Sequence, residues 1–228
     1  LLNRLTEDDE VLIVDNCSTD QTTAVAENYQ SRGVRIIRSS RNLGYANGVT
    51  VGAENANNEL VLVLKPDAHL EGAVVDRLVS HMVAHNNIGA VGPTTDTIIS
   101  DQNVSLALPG IDLEEFDAPT IAAGVAEIRD GMTCETKLLA SLCTLYRREL
   151  LLDIAPETID LFAYGEDLLI SYEIQKRGHR LLVAQDAFVS GGNAAHLGTI
   201  DNLKQNYLNK QSANLVYEKI YRDRKGDV

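Results

Sequence analysis

Apolar residues fall into two rhythms along this chain. Continuous runs at 11–14 (Val-Leu-Ile-Val) and 60–64 (Leu-Val-Leu-Val-Leu) suit strands covered on both faces, with a third strand at 34–37. Between them the apolar spacing lengthens, which predicts helices over 22–31, 45–55 and 72–86. Gly33 stops the first, and Val75, Leu78, Met82 and Val83 form the apolar side of the last. A short strand at 88–92 is ended by Pro93. The order through position 93 is βαβαβαβ with short loops, and it predicts a mostly parallel sheet between helices. Ligands of such sheets lie at the carboxyl ends of the strands, where this chain carries Asp15 and Asp67.

Past position 93 the pattern weakens. Residues 94–137 scatter Pro, Gly and acidic positions among short apolar stretches, the texture of a variable insertion. Residues 138–146 are strand-like, 166–177 helical and 180–183 a strand. A terminal helix is expected over 201–222, with Leu203, Tyr207, Leu208, Leu215 and Ile220 apolar. No repeat or linker interrupts the 228 residues, so one α/β domain is expected. Its opening, Leu1-Leu2-Asn3-Arg4-Leu5, reads as the tail of a helix, which predicts that an upstream segment belongs to the same domain.

Composition narrows the partners. With 44% hydrophobic and 23% charged residues the chain is neither disordered nor low in complexity, and its apolar runs are too short to span a membrane. Twenty basic against 33 acidic residues give a net charge of −13, with no Lys/Arg cluster to suit nucleic acid. An acidic ligand must then be small and held locally. The three cysteines, Cys17, Cys134 and Cys143, form no CxxC pair, so they read as reduced thiols rather than zinc ligands or a disulfide scaffold.

Taken one at a time, the acidic positions are ambiguous. Asp15 reads equally as a helix cap or a ligand group. Asp67 with His69 could hold a hard cation together with phosphate oxygens, though His69 reads equally as a solvated residue. Glu166-Asp167 opens a helix, where acidic residues are commonplace for dipole reasons.

Together they carry more. Val14-Asp15-Asn16-Cys17-Ser18-Thr19-Asp20-Gln21-Thr22 resembles the VDN-x-STD-x-T signature of family 2 glycosyltransferases, which have the GT-A fold. Asn42-Leu43-Gly44-Tyr45-Ala46 is similar to that family's N-x-G-[YF]-A motif, and Leu62-Val63-Leu64-Lys65-Pro66-Asp67 stands at its L-[DN]-x-D strand end. Tyr164-Gly165-Glu166-Asp167 resembles the YGED motif, and Lys176-Arg177-Gly178-His179-Arg180 the K-x-G-[YH]-R element after it. The Pro-x-Asp-type strand end is similar to the rhamnosyltransferase-like branch.

The resemblance implies an inverting transfer of a sugar from a UDP- or dTDP-sugar to an acceptor hydroxyl, in bacterial surface polysaccharide or glycan synthesis. Residues 1–93 would be the nucleotide-binding half, 94–137 the insertion and 138–228 the acceptor and catalytic half. Asp15 would hydrogen-bond the base or ribose, with Asn16, Ser18, Asp20, Arg41, Asn42, Gly44 and Lys65 around the nucleotide sugar. Asp67, with His69 and His196, would hold Mg²⁺ or Mn²⁺ on the diphosphate. Asp167 would be the general base, with Glu166 beside it as a substitute. The acceptor would be a glycan or lipid-linked. The location implied is cytoplasmic, or peripheral at the inner face of the membrane.

Three departures stand against that pattern. The family's first strand has no counterpart before Leu1. Lys65 stands where a metal-binding motif has Asp or Asn, and Leu169 and Glu173 where the family often has Asp and Arg. They motivate an alternative, a non-catalytic nucleotide-sugar-binding or scaffolding module of a longer polypeptide. A sugar nucleotidyltransferase is disfavoured, since no G-x-G-x-R loop occurs.

Overall fold

The computed structural model describes residues 6–96, 101–191 and 210–220. The first half forms β1 (Val11–Asp15), α1 (Thr22–Glu27), β2 (Val34–Arg38), α2 (Tyr45–Asn55), β3 (Leu60–Leu64), β4 (Ala68–Leu70), α3 (Val74–Ala84) and β5 (Ile88–Thr95). The second forms α4 (Val104–Ala107), α5 (Ala118–Ile128), β6 (Thr133–Thr136), β7 (Cys143–Arg147), α6 (Arg148–Thr158), α7 (Glu166–Lys176) and β8 (Arg180–Gly191). Residues 210–220 are helical, and the rest of the expected terminal helix lies outside the described residues.

Strand β1 pairs with β2, and a six-stranded sheet runs β3-β7-β5-β8-β4 with β6 also on β8. The β1–β2 and β5–β8 pairs are parallel; β3–β7, β5–β7, β4–β8 and β6–β8 are antiparallel. The larger sheet is therefore mixed rather than mostly parallel. The causes are β7, which enters from the second half of the chain and runs against both β3 and β5, and the short β4 and β6, which run against β8.

Helices cover both faces, and the two-residue period of the strands decides which side chain goes where. Cys143 and Leu145 of β7 and Leu182 and Ala184 of β8 pack with Val74, Leu78 and Met82 of α3. Tyr146, Leu181 and Val183 point the other way, against Ala53 of α2, Leu151 and Ile154 of α6, and Ile170 and Ile174 of α7. Strands β1 and β3 are only half-buried, contrary to the reading of their apolar runs. Among the described residues each pairs on one edge alone, β1 with β2 and β3 with β7.

Two boundaries differ, one for a local reason and one for a tertiary one. Pro93 does not end β5; the strand passes through it to Thr95 with a register shift between Pro93 and Thr94, which absorbs the missing N–H. Residues 138–142 leave the strand expected there. Their backbone donors go to side chains instead: Leu139 N–H to Ser171 Oγ (3.1 Å) and Ala140 N–H to Gln102 Oε1 (2.7 Å). The stretch after β5 is better ordered than its sequence suggests. Asp117 caps α5 through Thr120 N–H, and Ile121 and Val125 bury with Val104 and Phe188.

A buried carboxylate fastens that stretch to the sheet. Asp186, 4% exposed in β8, accepts hydrogen bonds from Arg77 Nη1 (2.8 Å) and Gly131 N–H (3.0 Å) and meets His81 Nε2 (2.9 Å). Burial pushes its carboxyl up, but His81, Gly131 and Arg77 outweigh that and hold it below the usual range. A lowered folded value stabilises above the unfolded value, and that stability is lost as pH falls through the folded one. Asp186→Asn should therefore cost about 2–4 kcal/mol at neutral pH, read from urea unfolding. The gap to the unaltered protein should narrow below about pH 4.

Candidate active site

The first motif is a turn built on Asp15 at the end of β1. Its Oδ1 accepts from Ser18 N–H and its Oδ2 from Thr23 Oγ1, both at 2.9 Å. Hydrogen bonds from Ser18 and Thr23, with Arg38 nearby, hold the carboxyl below its usual range despite burial. Asp15 thus closes the turn before α1, and Asp20 closes a second turn next to it through Thr22 N–H (2.9 Å). Cys17 inside this turn has φ +68, and Tyr164 in the fourth motif has φ +67. Among the described residues these are the two non-glycine left-handed positions, and each sits in a motif turn.

Asn16 joins the first motif to the second. Its Nδ2 donates to Gly44 O (3.0 Å) and its Oδ1 accepts from Leu43 N–H (2.9 Å), so its amide is spent on positioning. Asn42 Oδ1 accepts from Gly44 N–H (2.9 Å). Gly44, at φ +84, lies so close to Phe162 that a Cβ would overlap the Phe162 carbonyl. The next amide, Tyr45 N–H, donates to that carbonyl at 3.0 Å. The second motif is in this way seated against the chain leading into the fourth.

That seating gathers a charged cluster. Glu166 and Asp167 open α7, Glu166 buried and Asp167 half-buried. Ser141 Oγ donates to Asp167 Oδ1, and Tyr45 Oη donates to Ser141 O at 3.0 Å. Lys65 Nζ lies 5.2 Å from the Tyr45 ring centroid, within cation–π range. Glu166 Oε2 is buried without a hydrogen-bond partner among the described residues. Burial, then the Asp167 charge, push the Glu166 carboxyl above the usual range, with Lys65 pulling the other way. The helix over 210–220 buttresses the turn: Ser212 Oγ donates to Ala163 O, and Val216 packs with Ala46 and Leu169. Ser141 was not legible as a site residue, and no sequence signal could have shown it; Tyr45 stands inside the second motif.

Other expected positions lie apart from this cluster or serve the core. Arg41 and Asn42 line a cleft of ≈ 500 Å³ with Asn47, Glu54 and Ile159, which includes none of Lys65, Ser141, Glu166 or Asp167. Leu169 is fully buried, and Glu173 is buried in an ion pair with Arg177. Asp67 is half-buried in the turn before β4, and His69 is exposed two residues later. His196 lies outside the described residues. Among the described residues no three His, Cys, Asp or Glu groups converge on one point. A divalent cation carried by phosphates needs only one or two protein groups, and the open Asp67–His69 turn supplies an oxygen and a nitrogen of that kind. The residues present fit such an ion.

A family model described as "Glycosyl transferase family 2" matches residues 1–153. No curated protein matches the sequence. The fold resembles GalNAc-T7 solved with UDP, GalNAc and Mn²⁺, at TM-score 0.59 and 16% identity over 80% of this chain and 37% of that one. It also resembles the mannosyltransferase PcManGT of Pyrobaculum calidifontis in complex with GDP-Man and Mn²⁺, at 0.55 and 18% over 83% and 50%. A third likeness is S. aureus TarS 1-349 in complex with UDP, at 0.53 and 17% over 92% and 62%. The chain thus spans less than two thirds of each of these three structures.

Proposed function

The chain belongs to glycosyl transferase family 2, and from that membership we propose that it is an inverting glycosyltransferase using a UDP- or dTDP-sugar. The acceptor is a hydroxyl of a glycan or lipid-linked sugar, in the manner of the rhamnosyltransferase-like branch. One observation carries the reading. Two adjacent carboxylates at the start of α7 sit in unlike environments, Glu166 buried and raised, Asp167 oriented by a serine hydroxyl. A carboxylate with one oxygen held by a hydroxyl and the other left open suits a general base towards an acceptor hydroxyl.

In the reaction Asp167 takes the proton of the acceptor hydroxyl as that oxygen bonds to the anomeric carbon. The bond from the anomeric carbon to the diphosphate breaks on the opposite face, and the nucleoside diphosphate leaves. Ser141 occupies Asp167 Oδ1, which leaves Oδ2 for the incoming proton. Glu166, whose carboxyl burial and the Asp167 charge push upward, stands beside the base as its substitute. Lys65 places positive charge next to the site for the leaving diphosphate. Asp15, Ser18 and Asp20 shape the nucleotide turn, with Asn16, Arg41, Asn42 and Gly44 behind it. Asp67 and His69, with His196, would hold Mg²⁺ or Mn²⁺, which supplies charge neutralisation on the departing diphosphate. Among the described residues no helix is long and apolar enough to cross a membrane. The proposed location is cytoplasmic, or peripheral at the inner membrane face.

Calorimetric titration of UDP and dTDP into the full-length protein, with and without Mn²⁺, tests the donor side. Binding of one nucleotide, strengthened by Mn²⁺ and weakened by Asp67→Ala, is the expected result. A folded protein that binds neither would leave the scaffolding-module alternative.

A further inference from the structure

We infer that Ser141 is a positioning residue for Asp167, and that Tyr45 holds Ser141 in place for that task. The inference rests on the reading of Asp167 as the base. Asp167 lies in the first turn of α7, where unpaired backbone N–H groups attract a carboxylate back onto its own helix. A base folded back in that way would present the wrong oxygen to an acceptor. Here the Ser141 hydroxyl takes Asp167 Oδ1 instead.

The surroundings of Ser141 show what its hydroxyl is for. Its loop is already fastened by Leu139 N–H to Ser171 Oγ, Ala140 N–H to Gln102 Oε1, and Thr144 Oγ1 to Ala140 O at 3.0 Å. Its own carbonyl is taken by Tyr45 Oη, and Lys65 N–H donates to the neighbouring Leu142 O at 2.9 Å. The hydroxyl is spent on none of those bonds; its own hydrogen bond goes to the carboxylate. Ser141 is 3% exposed, so water does not compete for it. Tyr45 can act only as a donor to the carbonyl while its phenol is protonated. Burial, and then the charges of Asp167 and Glu166, push that phenol above its ordinary range and keep it so. The Tyr45 ring is fixed from behind by Lys65 and by the bond from its own amide to Phe162 O. A relay therefore runs from the end of β3 through α2 to the base.

The test uses full-length protein and release of nucleoside diphosphate from UDP-glucose, UDP-N-acetylglucosamine and dTDP-rhamnose. Ser141→Ala should lower kcat by about 10–100-fold, the effect of a displaced catalytic group, and leave the donor KM within about twofold. Tyr45→Phe keeps the ring and loses the hydroxyl; it should lower kcat by about 3–10-fold. The double variant should be no slower than Ser141→Ala, because both act through one carboxylate. Ser141→Thr, which retains the hydroxyl, should recover most of the rate. Crystal structures of the unaltered protein and Ser141→Ala give a readout independent of the donor: the Asp167 carboxylate should turn towards its own helix. Normal kcat in Ser141→Ala alongside an inactive Asp167→Asn would overturn the positioning role and leave the base intact. A lowered Tm with normal kcat, additive effects in the double variant, or an unmoved Asp167 would overturn it as well. Full turnover in Asp167→Asn would instead remove the base, and this inference with it.

Discussion

Asp167→Asn is expected to reduce turnover of the donor sugar by about 10²–10⁴-fold, the contribution typical of a positioned general base. The substitution is nearly isosteric, and the amide oxygen can still accept from Ser141 Oγ, so the cluster around it should keep its shape. What the amide cannot do is take a proton from the acceptor. The nucleotide turn at Asp15 is held by its own hydrogen bonds to Ser18 and Thr23, none of which involves Asp167. Nucleotide affinity should consequently stay within about threefold, a change of well under 1 kcal/mol. The measurement pairs release of nucleoside diphosphate with calorimetric binding on the same sample. Loss of both together would point to a damaged fold rather than a missing base.

Gly44→Ala should remove about 3–5 kcal/mol of folding stability, combining a left-handed backbone with a steric overlap. Gly44 holds φ +84, and the added methyl would run into the Phe162 carbonyl, a backbone atom that cannot swing aside. Three hydrogen bonds converge there: Asn16 Nδ2 on Gly44 O, Gly44 N–H on Asn42 Oδ1, and Tyr45 N–H on Phe162 O. Displacing Gly44 therefore separates the first, second and fourth motifs at once. Gly33 is the control, because it has φ +83 but nothing within 4 Å of the place an added methyl would take. Gly33→Ala should cost only the backbone part, about 1 kcal/mol. Urea midpoints of the two variants, compared at unchanged m, measure the difference. Equal midpoints would mean that the Phe162 contact is soft. A loss of this size is a large part of the stability of an ordinary domain, so weakened nucleotide binding should accompany it.

Much of the first half was legible because its signals are local. The runs at 11–14 and 60–64 became β1 and β3 within a residue, and Gly33 stopped its helical segment in a left-handed turn. The motif order also survived: Asp15, Gly44, and Glu166 with Asp167 all stand at element ends. Other elements escaped because their signals are weak or tertiary. β4 has three residues and exists through its pairing with β8. α6 follows β7 without a break and carries Pro156 inside it, which argues against a helix by propensity alone. Residues 138–142 look like strand, yet Gln102 and Ser171 claim their amides.

The candidate site divides along the same line. By itself the sequence determined which acidic residues end the strands, where Gly33 stops its helical segment, and which two carboxylates open α7. These follow from backbone geometry and the periods of helix and strand, which act over a few positions. The tertiary structure decided the rest. It placed β7 between β3 and β5 and set β4 and β6 against β8, which together made the sheet mixed. It brought Ser141 to Asp167 across 26 positions and Tyr45 to Ser141 across 96. It also gave Asn16 to the Leu43–Gly44 loop and Glu173 to an ion pair in the core. Hydrogen bonds between distant segments depend on which surfaces the core packing leaves facing each other, and no local pattern encodes that.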